Sequence, residues 1–85
     1  ADRPAIQRAM MFVKVQAEGP ARSEILRTVE IFRCKVVDVS SSEMTIEATG
    51  DHDKLDAILS LLHRFGIKEV ARTGSVAMRR SKKCE

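Results

Sequence analysis

From Met11 to Ala17 the apolar residues Met11, Val13, Val15 and Ala17 alternate with Phe12, Lys14 and Gln16. This period of two fits a strand with one buried face. Glu18-Gly19 ends it, and Pro20 suits a first helical position because the N–H it lacks would be unpaired there anyway. Ile25, Leu26, Val29 and Phe32 follow on one helical face and predict a helix over 20–33. Lys35 to Val39 is β-branched and apolar, and Ser40-Ser41-Ser42 is a polar turn. Met44, Ile46 and Ala48 then alternate with Thr45, Glu47 and Thr49, which completes a hairpin of second and third strands. Gly50 closes the third strand, and the Asp51 carboxylate can accept from a free N–H of the next helix's first turn. Leu55, Ile58, Leu59 and Leu62 match the i, i+3, i+4, i+7 template of that second helix, with Gly66 at the left-handed cap that ends it. Ile67 to Thr73 reads as a fourth strand, interrupted by Gly74, with Ser75 to Met78 extending an edge.

The order β-α-β-β-α-β predicts a ferredoxin-like α+β fold: a four-stranded antiparallel sheet with both helices on one face. A weak internal repeat supports it. A shift of 33 places Ile25 on Ile58, Leu26 on Leu59, Val29 on Leu62, Phe32 on Phe65, Lys35 on Lys68 and Val37 on Val70, and a shift of 31 places Ala17 on Ala48 and Gly19 on Gly50. Each half is then a strand, a helix and a strand. Residues 1–9 start without Met and read as a linker or cut end, 10–78 as the domain, and 79–85 as a basic tail.

With the helices on one side, the other side of the sheet carries Phe12, Lys14 and Gln16, then Thr45, Glu47 and Thr49, joined by Val36 and Asp38 from the second strand. An antiparallel sheet can be wetted on one face, but apolar residues gathered there often mark a contact surface. Two readings stand: a solvated sheet with scattered apolar residues, or a homodimer face.

Charge changes this picture little. The net charge is +3, but Arg79, Arg80, Lys82 and Lys83 supply four of the fifteen basic groups and Glu85 one of the twelve acidic ones, so residues 1–78 balance at eleven each. A nucleic-acid binder needs a positive stripe on its folded surface; a short basic terminus is more often a solvated end. Phe12 alone cannot form the stacking platform of an RNA-recognition module, and Glu47 beside it would repel phosphate. No nucleic-acid partner is expected. The apolar runs are too short to span a bilayer, which needs about 20 residues, and no secretory signal opens the chain, so no membrane partner is expected either. Two cysteines, Cys34 and Cys84, are too few for a disulfide framework and suit a reducing compartment.

Catalytic chemistry finds no foothold. Cys34, His52, His63 and Cys84 have no paired metal-ligand spacing, and His52 and His63 stand roughly 16 Å apart along one helix. Ser40 to Ser42 belong to a turn without a neighbouring base, Asp51, Asp53 and Asp56 complement a helix N-terminus, and the four glycines stand alone. No catalytic residue, metal or cofactor is assigned.

Three stretches together resemble one family: Glu30-Ile31-Phe32-Arg33-Cys34-Lys35-Val36-Val37-Asp38-Val39-Ser40, Thr45-Ile46-Glu47-Ala48-Thr49-Gly50-Asp51, and Phe65-Gly66-Ile67-Lys68-Glu69-Val70-Ala71-Arg72-Thr73-Gly74. They look like the C-terminal domain of the small, regulatory subunit of acetolactate synthase, also called acetohydroxyacid synthase, over about residues 8 to 80. The family often has Ala at the position of Cys34 and an acidic-apolar start in place of Ile6 to Met10. The resemblance implies a non-catalytic subunit that activates a thiamine-diphosphate-dependent catalytic large subunit and supports feedback inhibition by valine in branched-chain amino-acid synthesis. It places the valine site in an N-terminal ACT domain missing here, so no valine-binding residue is carried over. A cytoplasmic location is implied, or a plastid or mitochondrial one in a eukaryote. Arg72 and the Thr73-Gly74 turn join Phe12, Lys14, Val36 and Glu47 as candidate interface residues, the alternative for Arg72 being a solvated strand residue. The alternative function is a free-standing, ACT-like dimer that senses an amino acid.

Overall fold

The computed structural model describes residues 5–74 and 76–79, with the backbone alone at 5–7 and 76–79. Cys84 and all but Arg79 of the basic tail lie outside the described residues. The elements run β1 (Ala5–Gln16), α1 (Ala21–Ile31), β2 (Lys35–Val39), β3 (Glu43–Gly50), α2 (His52–Leu62), a single 3-10 turn (His63–Phe65), β4 (Ile67–Arg72) and β5 (Val76–Arg79). The sheet order is β2-β3-β1-β4, antiparallel throughout, and both helices pack on one face, as the alternation and the two helical stripes predict.

β1 organises the molecule. Val13 lies between Ile46 of β3 and Val70 of β4, so the strand is hydrogen-bonded along both edges. Its inward residues Met11, Val13 and Val15, and Ala17 just past its end, are fully buried. They meet Met44, Ile46 and Ala48 of β3, Ile25 and Val29 of α1, and Leu55, Ile58 and Leu62 of α2 in one cluster. Burying each large aliphatic side chain contributes roughly 1.5–3 kcal/mol. Among the described residues no polar or charged side chain is buried.

The ends of the helices follow local chemistry. Asp51 accepts from the backbone N–H of Lys54 at 2.8 Å, the cap that its position predicts. Pro20 sits one residue outside α1, at its cap, without a side-chain hydrogen bond. The repeat reappears in the backbone: Gly66 (φ 94) ends the second helical segment, and Arg33 (φ 57), 33 positions earlier, ends the first in the same left-handed region. Gly66 adopts it without strain, whereas Arg33 carries a Cβ that disfavours it. Arg22, which the pattern of apolar positions does not single out, ties the layers at one end of the sheet. Its Nε donates to the Ala17 carbonyl at 3.1 Å and its Nη2 to the Ser40 carbonyl at 2.6 Å.

β1 starts at Ala5, six residues before the alternation announces it. Residues 5–8 of β1 pair with β5 in the register Ala5 to Arg79 through Arg8 to Val76. β5 continues along the same edge of β1 as β4, beyond Thr73 and Gly74, and forms with the start of β1 a two-stranded ribbon beyond the main sheet. Thr73 pins the root of this ribbon: its Oγ1 accepts from the Met10 N–H at 2.8 Å, and its own N–H donates to the Met10 carbonyl at 2.9 Å.

Ile46→Ala removes a fully buried side chain at the centre of the cluster and should cost about 2–5 kcal/mol, while Val37→Ala on the exposed edge should cost under about 1 kcal/mol. Urea unfolding of the two variants measures the difference.

Candidate functional site

The open face of the sheet is built in rows by the antiparallel register. Phe12 lies between Glu47 of β3 and Ala71 of β4, and Lys35 of β2 lies beyond Glu47. In the next row Lys14 lies between Thr45 and Glu69, with Asp38 beyond Thr45. Phe12 is 38% exposed, a large apolar side chain left in water at the middle of a polar surface. Two ion pairs hold this surface within the chain: Lys14 Nζ to Glu69 Oε2 at 3.3 Å and Lys68 Nζ to Glu43 Oε2 at 3.8 Å. Both are solvated, and such pairs contribute about 0–1 kcal/mol each. Lys35, Asp38 and Glu47 make no ion pair among the described residues.

The structure therefore brings Phe12, Lys14 and Glu47 together. Val36 does not join them, which corrects the face expected for it. It lies opposite Ile46 and packs against the core with Cys34, while Lys35 takes the open side. The cause is an irregularity in β2 between Val36 and Asp38, which resets the alternation so that Asp38 returns to the open face opposite Thr45. An unbroken period of two puts Val36 and Asp38 on the same face, and the irregularity separates them.

Arg72 also stands apart from the other three. It lies opposite Met11, hence on the helix side, and its guanidinium donates to Asp56 Oδ1 at 2.8 Å and lies 3.0 Å from His52 Nδ1. Its side chain is only 26% exposed. It therefore stands off the open face, in an ion pair that solvent still reaches. It clasps the end of β4 to the first turns of α2, a role that no spacing in the sequence signals, because the two contacts join residues sixteen and twenty positions away.

Among the described residues an open groove of about 570 Å³ lies between α2 and β4, lined by Leu59, Ser60, His63, Ile67 and Val70. A smaller crevice of about 340 Å³ at the root of the ribbon is lined by Arg8, Ala9, Met10, Thr49, Thr73 and Gly74. Neither gathers a nucleophile beside an oriented base. Among the described residues no three His, Cys, Asp or Glu side chains converge as metal ligands, and no helix is long and apolar enough to cross a membrane. Burial raises the Cys34 pKa, opposed by the nearby positive charge of Lys54.

Comparison with known proteins adds what geometry cannot. A family model described as the small subunit of acetolactate synthase matches residues 8–81. The chain is 56% identical over 80 residues to the acetolactate synthase small subunit of Aquifex aeolicus, covering 93% of this chain and 42% of the relative. It is 49% identical over 79 residues to the chloroplastic small subunit 2 of Arabidopsis thaliana, covering 93% of this chain and 17% of that protein. The crystal structure of the small subunit from Thermotoga maritima superposes with a TM-score of 0.86 at 41% identity, over 92% of this chain and 48% of that one. The chain thus spans less than half the length of these relatives.

Two measurements follow. Arg72→Ala should lower stability by about 0.2–1 kcal/mol in urea unfolding, the range for solvated ion pairs. The fold favours the protonated Cys34 thiol, so stability is fully present below the ordinary thiol range and falls as pH rises through the raised folded value. Unfolding midpoints between pH 7 and pH 10 should accordingly decline less in Cys34→Ala.

Proposed function

The chain belongs to the family of acetolactate synthase small subunits, as its C-terminal domain, and on that footing we propose that it acts as a non-catalytic regulatory module. In this reading its partner is the catalytic large subunit, whose activity it helps to raise and whose sensitivity to valine it helps to transmit. The observation that carries the proposal is a match over nearly the whole chain at 56% identity, which reaches well past the core positions that fold alone would constrain. The described surface is compatible with it: an exposed Phe12 among charged side chains, some paired and some not, suits contact with protein, and no catalytic group is assembled beside it among the described residues.

A homodimer through the open face belongs to the same proposal, with Phe12, Lys14 and Glu47 in the contact. Valine is assigned to the part of the longer relatives that this chain does not span, so the domain's contribution to inhibition is transmission. The compartment is that of the large subunit; the Arabidopsis relative is named chloroplastic, and other relatives are bacterial and archaeal.

Reconstitution tests the reading. Large-subunit activity and valine inhibition are measured with a full-length small subunit that contains this domain and with one ending before residue 8. The full-length subunit should activate and confer inhibition, and the truncated one should lose part of either. Identical behaviour of the two would remove the regulatory role.

A further inference from the structure

Building on the homodimer reading, we infer that two copies pack open face to open face with their strands antiparallel, in an orientation fixed by a reciprocal ion pair between Lys35 of each copy and Asp38 of the other.

Two central rows cross the open face. One row reads Lys35, Glu47, Phe12, Ala71 across the sheet, and the next reads Asp38, Thr45, Lys14, Glu69. Two sheets stacked about 10 Å apart can be related by a two-fold axis that crosses the strands or by one that runs along them. An axis crossing the strands at Val13, Ile46 and Val70 exchanges the two rows. Lys35 then faces Asp38 of the second copy, Phe12 faces Lys14, Glu47 faces Thr45 and Ala71 faces Glu69. No like charges meet, and an ammonium approaches an aromatic ring, a favourable contact.

An axis along the strands, between β1 and β3, keeps each row and reverses it. Asp38 then faces Glu69 of the second copy, and Glu47 faces the ring of Phe12. Both contacts are unfavourable, because like charges oppose one another in the first and an anion meets a negative π-face in the second. The charges therefore discriminate between the two orientations. Lys14 is already held by Glu69 and Lys68 by Glu43, which leaves Lys35, Asp38 and Glu47 as the charges of these rows without an ion pair in the monomer, and the crossing axis sets Lys35 on Asp38 while Glu47 meets the neutral Thr45. Residues 1–78 carry no net charge, so long-range repulsion does not oppose self-association.

The test is a charge exchange in the 85-residue chain, with the monomer–dimer equilibrium read by sedimentation velocity over a concentration series and folding checked by circular dichroism. Lys35→Glu and Asp38→Lys should each raise the dimer dissociation constant about tenfold or more, since each substitution acts twice in a two-fold dimer. The double variant K35E/D38K should return to within about threefold of the unmodified chain. A double variant at least as weak as both single ones, with Phe12→Lys still dissociating the dimer, would overturn this orientation while leaving the open-face dimer intact. An unmodified chain that stays monomeric at every concentration would remove the homodimer reading itself.

Discussion

The apolar row Met11, Val13, Val15 and Ala17 determines the rest of the molecule. Because β1 is bonded along both edges, its one buried face must be covered from a single direction, and both helices are drawn to that side by Ile25, Val29, Leu55, Ile58 and Leu62. The face left over contains whatever the intervening positions carry, here Phe12, Lys14 and Gln16. Core and candidate interface are therefore two phases of one alternation. A register slip by one residue would exchange them, which ties the surface to the same constraint that stabilises the fold.

Most of the architecture is legible in the chain for that reason. Alternation at Met44, Ile46 and Ala48 and the stripe Leu55, Ile58, Leu59, Leu62 correspond to elements found where the pattern places them, and the Asp51 cap is in place. The departures are local. Val36 changes face because an irregularity in the edge strand breaks a period that sequence reading must assume to be unbroken. β1 reaches back to Ala5 because β5 pairs with it, a contact between opposite ends of the chain that leaves no local signature. Arg72 and Arg22 act through bonds to residues distant in sequence, and a guanidinium on an exposed strand looks the same in a sequence whether or not it has a partner.

The candidate site was less legible than the fold. Phe12, Lys14 and Glu47 follow directly from the alternation, but the significance of Lys35 does not, since its relation to Asp38 depends on how β2 sits against β3. Physical reading alone reaches a small α+β module with a polar, partly apolar open sheet. The link to acetolactate synthase rests on the identity of particular stretches, and the family match over residues 8–81 covers all three stretches that carry the resemblance.

The ribbon that joins Ala5 to Arg79 has a mechanical consequence. Tension applied between those two positions would load the backbone rungs of the ribbon one after another, as in a zip, instead of all at once as in a sheared strand pair. Any longer polypeptide carrying this unit would find here a compliant element that opens at low force, leaving the layered body beneath it intact.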